Sequence, residues 1–172
     1  NNFNMTCIIL NIFRSASLQP VFHECFADLL LFMYTNYNKK QKLHFMSSIS
    51  KVFVHLFLTY QKVQITGSSY DKFCFEIKER KRIIGSYIIL TTLSKKIKQL
   101  HTLVDLQFNH ILKNCHKFDI LTEVLIHIIP VLPAKVLQEN KKRINSCYQK
   151  ISTKRNNKRN TLLLLNVMEK FL

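Results

Sequence analysis

Residues 43–63 read LHFMSSISKVFVHLFLTYQKV, and this stretch decides the fold class. Apolar side chains recur in it at intervals of three and four residues, whereas a half-buried strand would repeat every second residue. The side chains on this stripe are Phe45, Met46, Ile49, Val52, Phe53, Leu56, Phe57, Tyr60 and Val63. The stretch therefore predicts an amphipathic α-helix, and Gly67 suits the position that follows its last turn.

Similar stripes on both sides of this stretch predict further helices. They cover residues 18–37, 83–100, 103–115, 118–129, 133–152 and 161–172. We expect Ser17 and Asp119 to cap the helices that follow them, because their side-chain oxygens can accept hydrogen bonds from free backbone N–H groups. Residues 70–80 fit a helix or a strand, and we favour the helix. The pattern leaves open whether residues 83–115 form one helix or two.

Glycine and proline are scarce, with two and three residues respectively. All-β folds need many turns with positive φ, and nucleotide-binding α/β folds need glycine in their phosphate loops. The composition thus favours an all-α fold. We expect about seven antiparallel helices arranged as an α-solenoid segment or as an irregular helical bundle.

The predicted organisation is a single helical domain over residues 1–172, with a basic polar linker at 153–160. The chain does not begin with methionine, and its apolar stripes run to both ends. We therefore expect it to be a fragment of a longer protein. No apolar run reaches the roughly 18 residues that a membrane-spanning helix needs, so we expect no transmembrane segment.

The five cysteines include no Cys-x-x-Cys pair, and their number is odd. This pattern predicts reduced, mostly buried thiols in an intracellular reducing compartment. His23 with Cys25, and Cys115 with His116, are the nearest approach to metal-ligand spacing. Buried cysteines beside surface histidines are the favoured interpretation, since structural zinc needs four ligands at short recurrent spacing.

No residue set defines a reaction. The sequence lacks GxxxxGK[ST] and GxGxxG, and no local signature pairs a cysteine or serine with a histidine. His55, His110 and His127 lie in or near apolar stripes, and we interpret them as interior or boundary residues. We expect no enzyme activity, no cofactor, no metal site and no small-molecule substrate.

Positive charge is the strongest functional signal, with a net charge of +16 from 26 basic and 10 acidic residues. Such a field favours anionic partners, although AT-rich coding also enriches lysine. Basic clusters lie at 38–42, 78–82, 95–98 and 141–159. The residues predicted to contact a nucleic acid or an acidic partner are Lys78, Arg80, Lys81, Arg82, Lys141, Lys142, Arg143, Lys154, Arg155, Lys158 and Arg159.

The last cluster also matches a two-part nuclear import address, since Lys142 and Arg143 are separated by ten residues from KRNNK at 154–158. Such addresses bind acidic grooves as extended chain. The intervening residues carry a helical apolar stripe, which opposes that conformation. Nuclear localisation is nevertheless the predicted location.

The paired helices 18–37 with 43–63 and 118–129 with 133–152, joined by basic turns, resemble HEAT-like helical-repeat scaffolds of the nucleus. That resemblance implies a non-enzymatic scaffold segment binding other protein subunits in a complex for DNA replication or repair, or for ribosome biogenesis. A stand-alone nucleic-acid-binding module that contacts DNA or RNA phosphates non-specifically is the main alternative. A small helical enzyme and a peripheral membrane protein are two others.

Overall fold

The structure is a computed structural model that describes residues 2–59, 69–153 and 158–172. In these ranges the chain forms eight α-helices and no β-strand, which confirms the predicted all-α class. The helices are α1 (Asn2–Ala16), α2 (His23–Asn36), α3 (Lys39–Thr59), α4 (Tyr70–Lys96), α5 (His101–Asn114), α6 (Asp119–Ile128), α7 (Ala134–Ser152) and α8 (Lys158–Phe171). Short 3₁₀ turns at Pro20–Phe22, Lys98–Leu100 and Ile129–Val131 precede α2, precede α5 and follow α6. None of the described helices combines the length and the apolar character that a membrane span requires.

The chain divides into two compact units, Asn1–Leu103 and Val104–Leu172, so the boundary falls within α5. In the first unit α1 packs against α3 and α4, and α2 packs against α4. Its core contains large apolar side chains with almost no exposed surface, among them Phe13, Leu30, Phe45, Ile49 and Leu93. Burial of such side chains is the main source of helix stability in a unit of this kind.

Gly85 sets the distance between α4 and the end of α1. A Cβ atom added at Gly85 would lie 2.1 Å from the backbone oxygen of Ser17 and 2.6 Å from its Cα. Real Cβ atoms do not approach backbone atoms so closely. Glycine is therefore needed at this helical position for contact, although it lowers intrinsic helix propensity by about 1 kcal/mol relative to alanine.

The apolar stripe on which the helix over residues 18–37 was predicted consists of Phe22, Phe26, Leu29, Leu30 and Met33, and the face that α2 buries differs from it. Of these five, Leu30 alone is classed as buried, whereas Phe22 is 50% and Leu29 43% exposed. The other buried residues of α2 are His23 and Ala27. Because residues 29–33 are apolar on every side of the helix, the pattern does not select the face that packs.

The residues that cap the N-termini of the helices differ in part from those expected. Ser69 caps α4, with its Oγ accepting from the Lys72 N–H at 3.3 Å. Ser17 does not cap the next helix, because its hydroxyl donates to the Arg14 carbonyl and closes α1. Asp119 is the first residue of α6, which Phe118 precedes without a side-chain cap.

Helix α3 begins four residues earlier than the apolar stripe indicated, at Lys39. The Asn38 N–H donates to Gln41 Oε1 at 3.0 Å, and the Gln41 N–H donates to Asn38 Oδ1 at 2.9 Å. This reciprocal pair is a capping box. The expected end of the helix, including Gly67, lies outside the described residues.

Residues 70–80 are helical, as favoured, and continue without interruption to Lys96 in the 27-residue α4. Residues 83–115, for which the sequence pattern left one helix or two open, belong to two helices. The break comes at Ile97, which has extended φ and ψ angles of −120° and 100°. Ile97 and Leu100 are both buried there, so core packing holds a break that no glycine or proline marks.

In the second unit α8 packs against α6 and α7. The core includes Phe108, Ile111, Leu121, Val124 and Leu125, as the apolar stripes of α5 and α6 predicted. Of the apolar stripe predicted for residues 133–152, helix α7 buries Leu137, Ile144, Cys147 and Ile151, whereas Val136 and Tyr148 are half-buried. Helix α8 begins at Lys158, so the last three residues of the predicted 153–160 linker are helical.

Cys115 and Cys147 form a disulfide bond between the residue after α5 and the middle of α7. Both are almost fully buried. The prediction of five reduced, mostly buried thiols is thus wrong for this pair. It is also wrong for Cys25 and Cys74, which are exposed, while Cys7 is half-buried. Sequence spacing shows no sign of the pairing, because 32 positions separate the two residues and the helices bring them together.

Candidate anion-contact surface

The structure divides the predicted contact residues between the two compact units. Lys78, Arg80, Lys81 and Arg82 lie on α4 in the first unit, and Lys141, Lys142, Arg143, Lys158 and Arg159 lie on α7 and α8 in the second. Lys154 and Arg155 lie outside the described residues. Each group therefore belongs to its own unit and is described separately.

On α7 Lys135 and Lys142 lie opposite the buried stripe. At 100° per residue, Lys142 points about 160° away from Ile144, and Lys135 about 180° away. Arg143 and Lys150 are seven residues apart and share the next sector of the same outward side. We call these four exposed residues, Lys135, Lys142, Arg143 and Lys150, the α7 basic face.

Arg143 is held in place by neutral groups. Its Nη1 donates to the side-chain oxygen of Asn109 at 2.5 Å and to that of Asn140 at 2.8 Å. Amide oxygens orient a guanidinium without cancelling its charge, which stays available to an anion. The residue is thereby positioned before any partner arrives.

Little acidic charge opposes the α7 basic face. Glu139 is the one acidic residue of α7, and it lies 4.0 Å from Lys135, with both side chains highly exposed. An exposed pair of this length contributes little energy. Within the described ranges, the side chains of Lys142, Lys150, Lys158 and Arg159 make no hydrogen bond or ion pair. The face therefore keeps most of its positive charge.

Lys141 belongs to the flank of α7 rather than to this face. Its Nζ donates to the backbone carbonyl oxygen of Leu172 at 2.7 Å, next to the end of α8. Lys135 and Lys150, by contrast, were not predicted as contact residues. Their seven-residue spacing from Lys142 and Arg143 was a readable signal, since that spacing returns a helix to nearly the same side.

The α4 group does not form one surface. At 100° per residue, Arg80 points about 160° away from Lys78 and about 100° away from Lys81. It therefore lies on a different side of the helix from these two lysines. Arg82 forms an ion pair with Glu79, three residues earlier. Lys78 and Lys81 remain exposed and make no bond among the described residues. These four basic residues are close together in sequence, but two of them, Lys78 and Lys81, are the ones that present unpaired charges to solvent in the described part of the chain.

The basic clusters at 38–42 and 95–98 are partly engaged within the first unit. Lys96 pairs with Asp28 of α2. The Lys42 ammonium lies 5.2 Å from the centre of the Tyr34 ring, a distance that suits a cation–π contact. These contacts stabilise the unit and leave fewer free charges than the sequence suggested.

Histidine 110 adds no charge to the second unit at neutral pH. Burial, and then the nearby positive charge of Lys113, lower the pKa of His110 below its usual value. The lowered pKa favours the neutral ring at pH 7. The amide nitrogen of Asn114 lies 3.2 Å from Nδ1, where it can donate a hydrogen bond to an unprotonated ring nitrogen. The sequence predicted that His55, His110 and His127 are interior or boundary residues. His110 is half-buried as predicted, whereas the prediction is wrong for His55 and His127, which are exposed.

Metal-ligating residues do not converge in the described part of the chain, where no group of three histidine, cysteine or acidic residues could hold an ion. The expected arrangement of buried cysteine beside surface histidine is reversed at His23, which is buried, and Cys25, which is exposed. Cys115 is joined to Cys147, so the sulfur of the Cys115–His116 pair is not a free thiolate ligand.

Comparison with protein-family models, with curated proteins and with solved structures found no match to this chain. Its function is therefore inferred from the chemistry of the residues described above.

Proposed function

We propose that the chain is a non-enzymatic helical scaffold segment that contacts nucleic-acid phosphates in a nuclear complex for DNA replication or repair, or for ribosome biogenesis. The observation that carries this proposal is the α7 basic face. It presents four exposed cations on one side of a helix, with a single weak acidic contact. Lys158 and Arg159, in the first turn of α8, add two more exposed cations in the same unit.

Phosphate contact fits this surface better than base readout. The cations are mostly lysines on long side chains, which act as point charges and follow a phosphate backbone without selecting a base. The face itself carries no aromatic side chain for stacking on unpaired bases. Binding should then be insensitive to sequence and strongly dependent on salt.

Exposed apolar side chains support the scaffold part of the proposal. Leu162 on α8 is 60% exposed, and Phe32 on α2 is 66% exposed. Single exposed apolar residues are common on proteins, but large ones on outward helix faces also serve as contacts with other subunits. The scaffold would bind protein through such residues and nucleic acid through its cations.

A salt titration with matched variants tests phosphate contact. Fluorescence anisotropy would measure the affinity for a labelled DNA duplex and a labelled RNA strand over a range of salt concentrations. The triple variant Lys142→Gln, Arg143→Gln, Lys150→Gln should bind more weakly. The slope of log affinity against log salt should fall by about one for each phosphate-binding cation that the substitutions remove.

The control removes the same charge from the first unit, with Lys39→Gln, Lys40→Gln and Lys51→Gln, all exposed residues of α3. We expect it to keep most of the slope. Equal reductions in the two triple variants would show that net charge alone drives binding. No binding of wild type to either nucleic acid at low salt would refute phosphate contact and the stand-alone alternative together.

Nuclear localisation is tested apart from binding. Replacing Lys154, Arg155, Lys158 and Arg159 by alanine in a fluorescent fusion should reduce nuclear accumulation if these residues form the second half of an import address. Unchanged accumulation would remove that address while leaving phosphate contact by α7 intact.

A further inference from the structure

A cavity of about 300 Å³ opens in the first unit between α1, α3 and α4. One side of it is apolar, formed by Leu10, Phe13, Val52, Phe75 and Ile83. Phe13, Val52 and Ile83 are themselves buried and belong to the core, so this wall is held rigidly by packing. A cavity of this size is at the lower end of the range that binds small organic molecules.

The close contact at Gly85 shapes the inner end of the cavity. Ser17, whose backbone a side chain at position 85 would strike, lines the cavity together with Ser86, the residue after Gly85. Ser17 and Ser86 are both buried. The close approach of α4 to the end of α1 therefore lies beside two residues that line the cavity.

The polar lining of the cavity contains two guanidinium groups and one carboxylate. Arg14, His55 and Arg82 line it, and Glu79 is its one acidic residue. Glu79 is bound by Nη1 of Arg82, while the Nε of Arg82 is buried without a hydrogen-bond partner. Arg14 is exposed at the end of α1 and has no acidic partner among the residues described. One guanidinium is therefore free to take an anion.

These two sides select a class of ligand. Apolar rings and aliphatic groups bind the body of an organic molecule through loss of water-exposed area. A free guanidinium binds a carboxylate through two parallel hydrogen bonds, the strongest neutralising contact that a side chain offers. A phosphate-rich ligand would leave the apolar wall unused, and a neutral hydrocarbon would leave Arg14 unpaired.

We propose that this cavity binds a small organic anion with an apolar body, of the chemical class of medium-chain carboxylates. The carboxylate pairs with Arg14, and the hydrocarbon lies against Phe13, Val52 and Ile83. The sequence predicted no small-molecule substrate and did not indicate this site, since its residues come from three helices. The site is independent of the α7 basic face, which belongs to the other unit.

Calorimetric titration with decanoate, kept below its micelle concentration, tests the proposal, with decanol as the uncharged ligand of equal chain length. We expect decanoate to bind more tightly than decanol. Arg14→Gln should lower decanoate affinity about tenfold or more, the effect of losing a charged hydrogen bond. Lys51→Gln, which removes an exposed charge from α3 outside the cavity, should leave affinity within about twofold of wild type.

Methyl NMR shifts locate the ligand without relying on a variant that folds. Decanoate should shift the methyl signals of Leu10, Val52 and Ile83 and leave those of Ile144 and Leu164, in the second unit, unchanged. Equal affinity for decanoate and decanol, equal effects of Arg14→Gln and Lys51→Gln, or shifts confined to the second unit would each overturn the proposal.

Discussion

At the scale of single residues, Gly85 is a position where adding one methyl group would disturb the packing of two helices. Its missing side chain allows α4 to lie against the backbone of Ser17. Neither partner can yield easily, because the obstructing atoms are backbone rather than the far end of a side chain. Sequence reasoning could not detect this, since the contact depends on a residue in a different helix.

Gly85→Ala should destabilise the first unit by about 1–3 kcal/mol, the usual cost of adding a methyl group to a filled space. Alanine's better helix propensity, worth about 1 kcal/mol, should offset only part of that cost. The free energy of unfolding from urea titration measures the effect. Cys74→Ala, at an exposed position of the same helix, is the control and should change stability by less than about 0.5 kcal/mol. A Gly85→Ala protein as stable as wild type would contradict the contact.

Arg80 and Asn38 show which residue-level features the sequence did contain. The 100° turn per residue already separates Arg80 from Lys78 and Lys81, so the split of the α4 cluster was readable. Asn38 with Gln41 three residues later is a capping-box signature, although the apolar stripe that indicates the helix begins only at residue 43. The ion pair of Arg82 with Glu79 was open to the same reasoning, since the two residues are three positions apart.

At the scale of elements, the spacing of apolar residues predicted where the helices lie. It predicted the buried face correctly for some helices and wrongly for others. Helix α7, which has one apolar stripe, buries residues of that stripe, whereas α6 is buried on most of its sides. Helix α2 is apolar on several sides, and the small Ala27 rather than a phenylalanine marks its packed face. The identity of the face then depends on the neighbouring helix, which no local pattern contains.

The disulfide between Cys115 and Cys147 is a link between elements that only the fold reveals. Cys147→Ala should lower the stability of the second unit by about 2–4 kcal/mol under oxidising conditions, because the bond restricts the unfolded chain. Under reducing conditions the difference should shrink. Cys74→Ala, which removes an exposed free cysteine, should show neither effect. Alkylation of the unfolded protein without reductant should modify three cysteines, and modification of all five would contradict the bond.

At the scale of the whole molecule, net charge acts in opposite directions on stability and on binding. The chain carries +16, and repulsion among these charges opposes folding. Salt screens that repulsion within a Debye length, which is about 10 Å at 0.1 M. The same salt weakens attraction to a polyanion.

Raising sodium chloride from about 0.05 M to about 0.5 M should therefore raise the thermal midpoint by about 2–4 °C, the shift that roughly 1 kcal/mol produces at this chain length. Circular dichroism at each salt concentration measures it. The variant with Lys39, Lys40 and Lys51 replaced by glutamine should show a smaller rise, since it has less charge to screen. A midpoint that falls with salt would mean that attractive ion pairs, such as Lys96 with Asp28, outweigh the repulsion.

The all-α class followed from composition at this same scale, because two glycines cannot supply the turns of a sheet protein. The candidate surfaces did not follow from it. A count of charges contains no information on which cations are paired, and a list of apolar residues does not reveal a cavity among three helices.

The bond between Cys115 and Cys147 also has a mechanical consequence. A chain pulled from its two ends lengthens by up to about 3.3–3.6 Å per residue, and the bond excludes from that extension the segment between its cysteines, which are 32 positions apart. The oxidised chain should therefore extend roughly 100 Å less than the reduced one. The oxidised chain would also enter a narrow unfolding pore as a loop, with several segments of unfolded chain side by side. The reduced chain would pass through the pore as one extended segment.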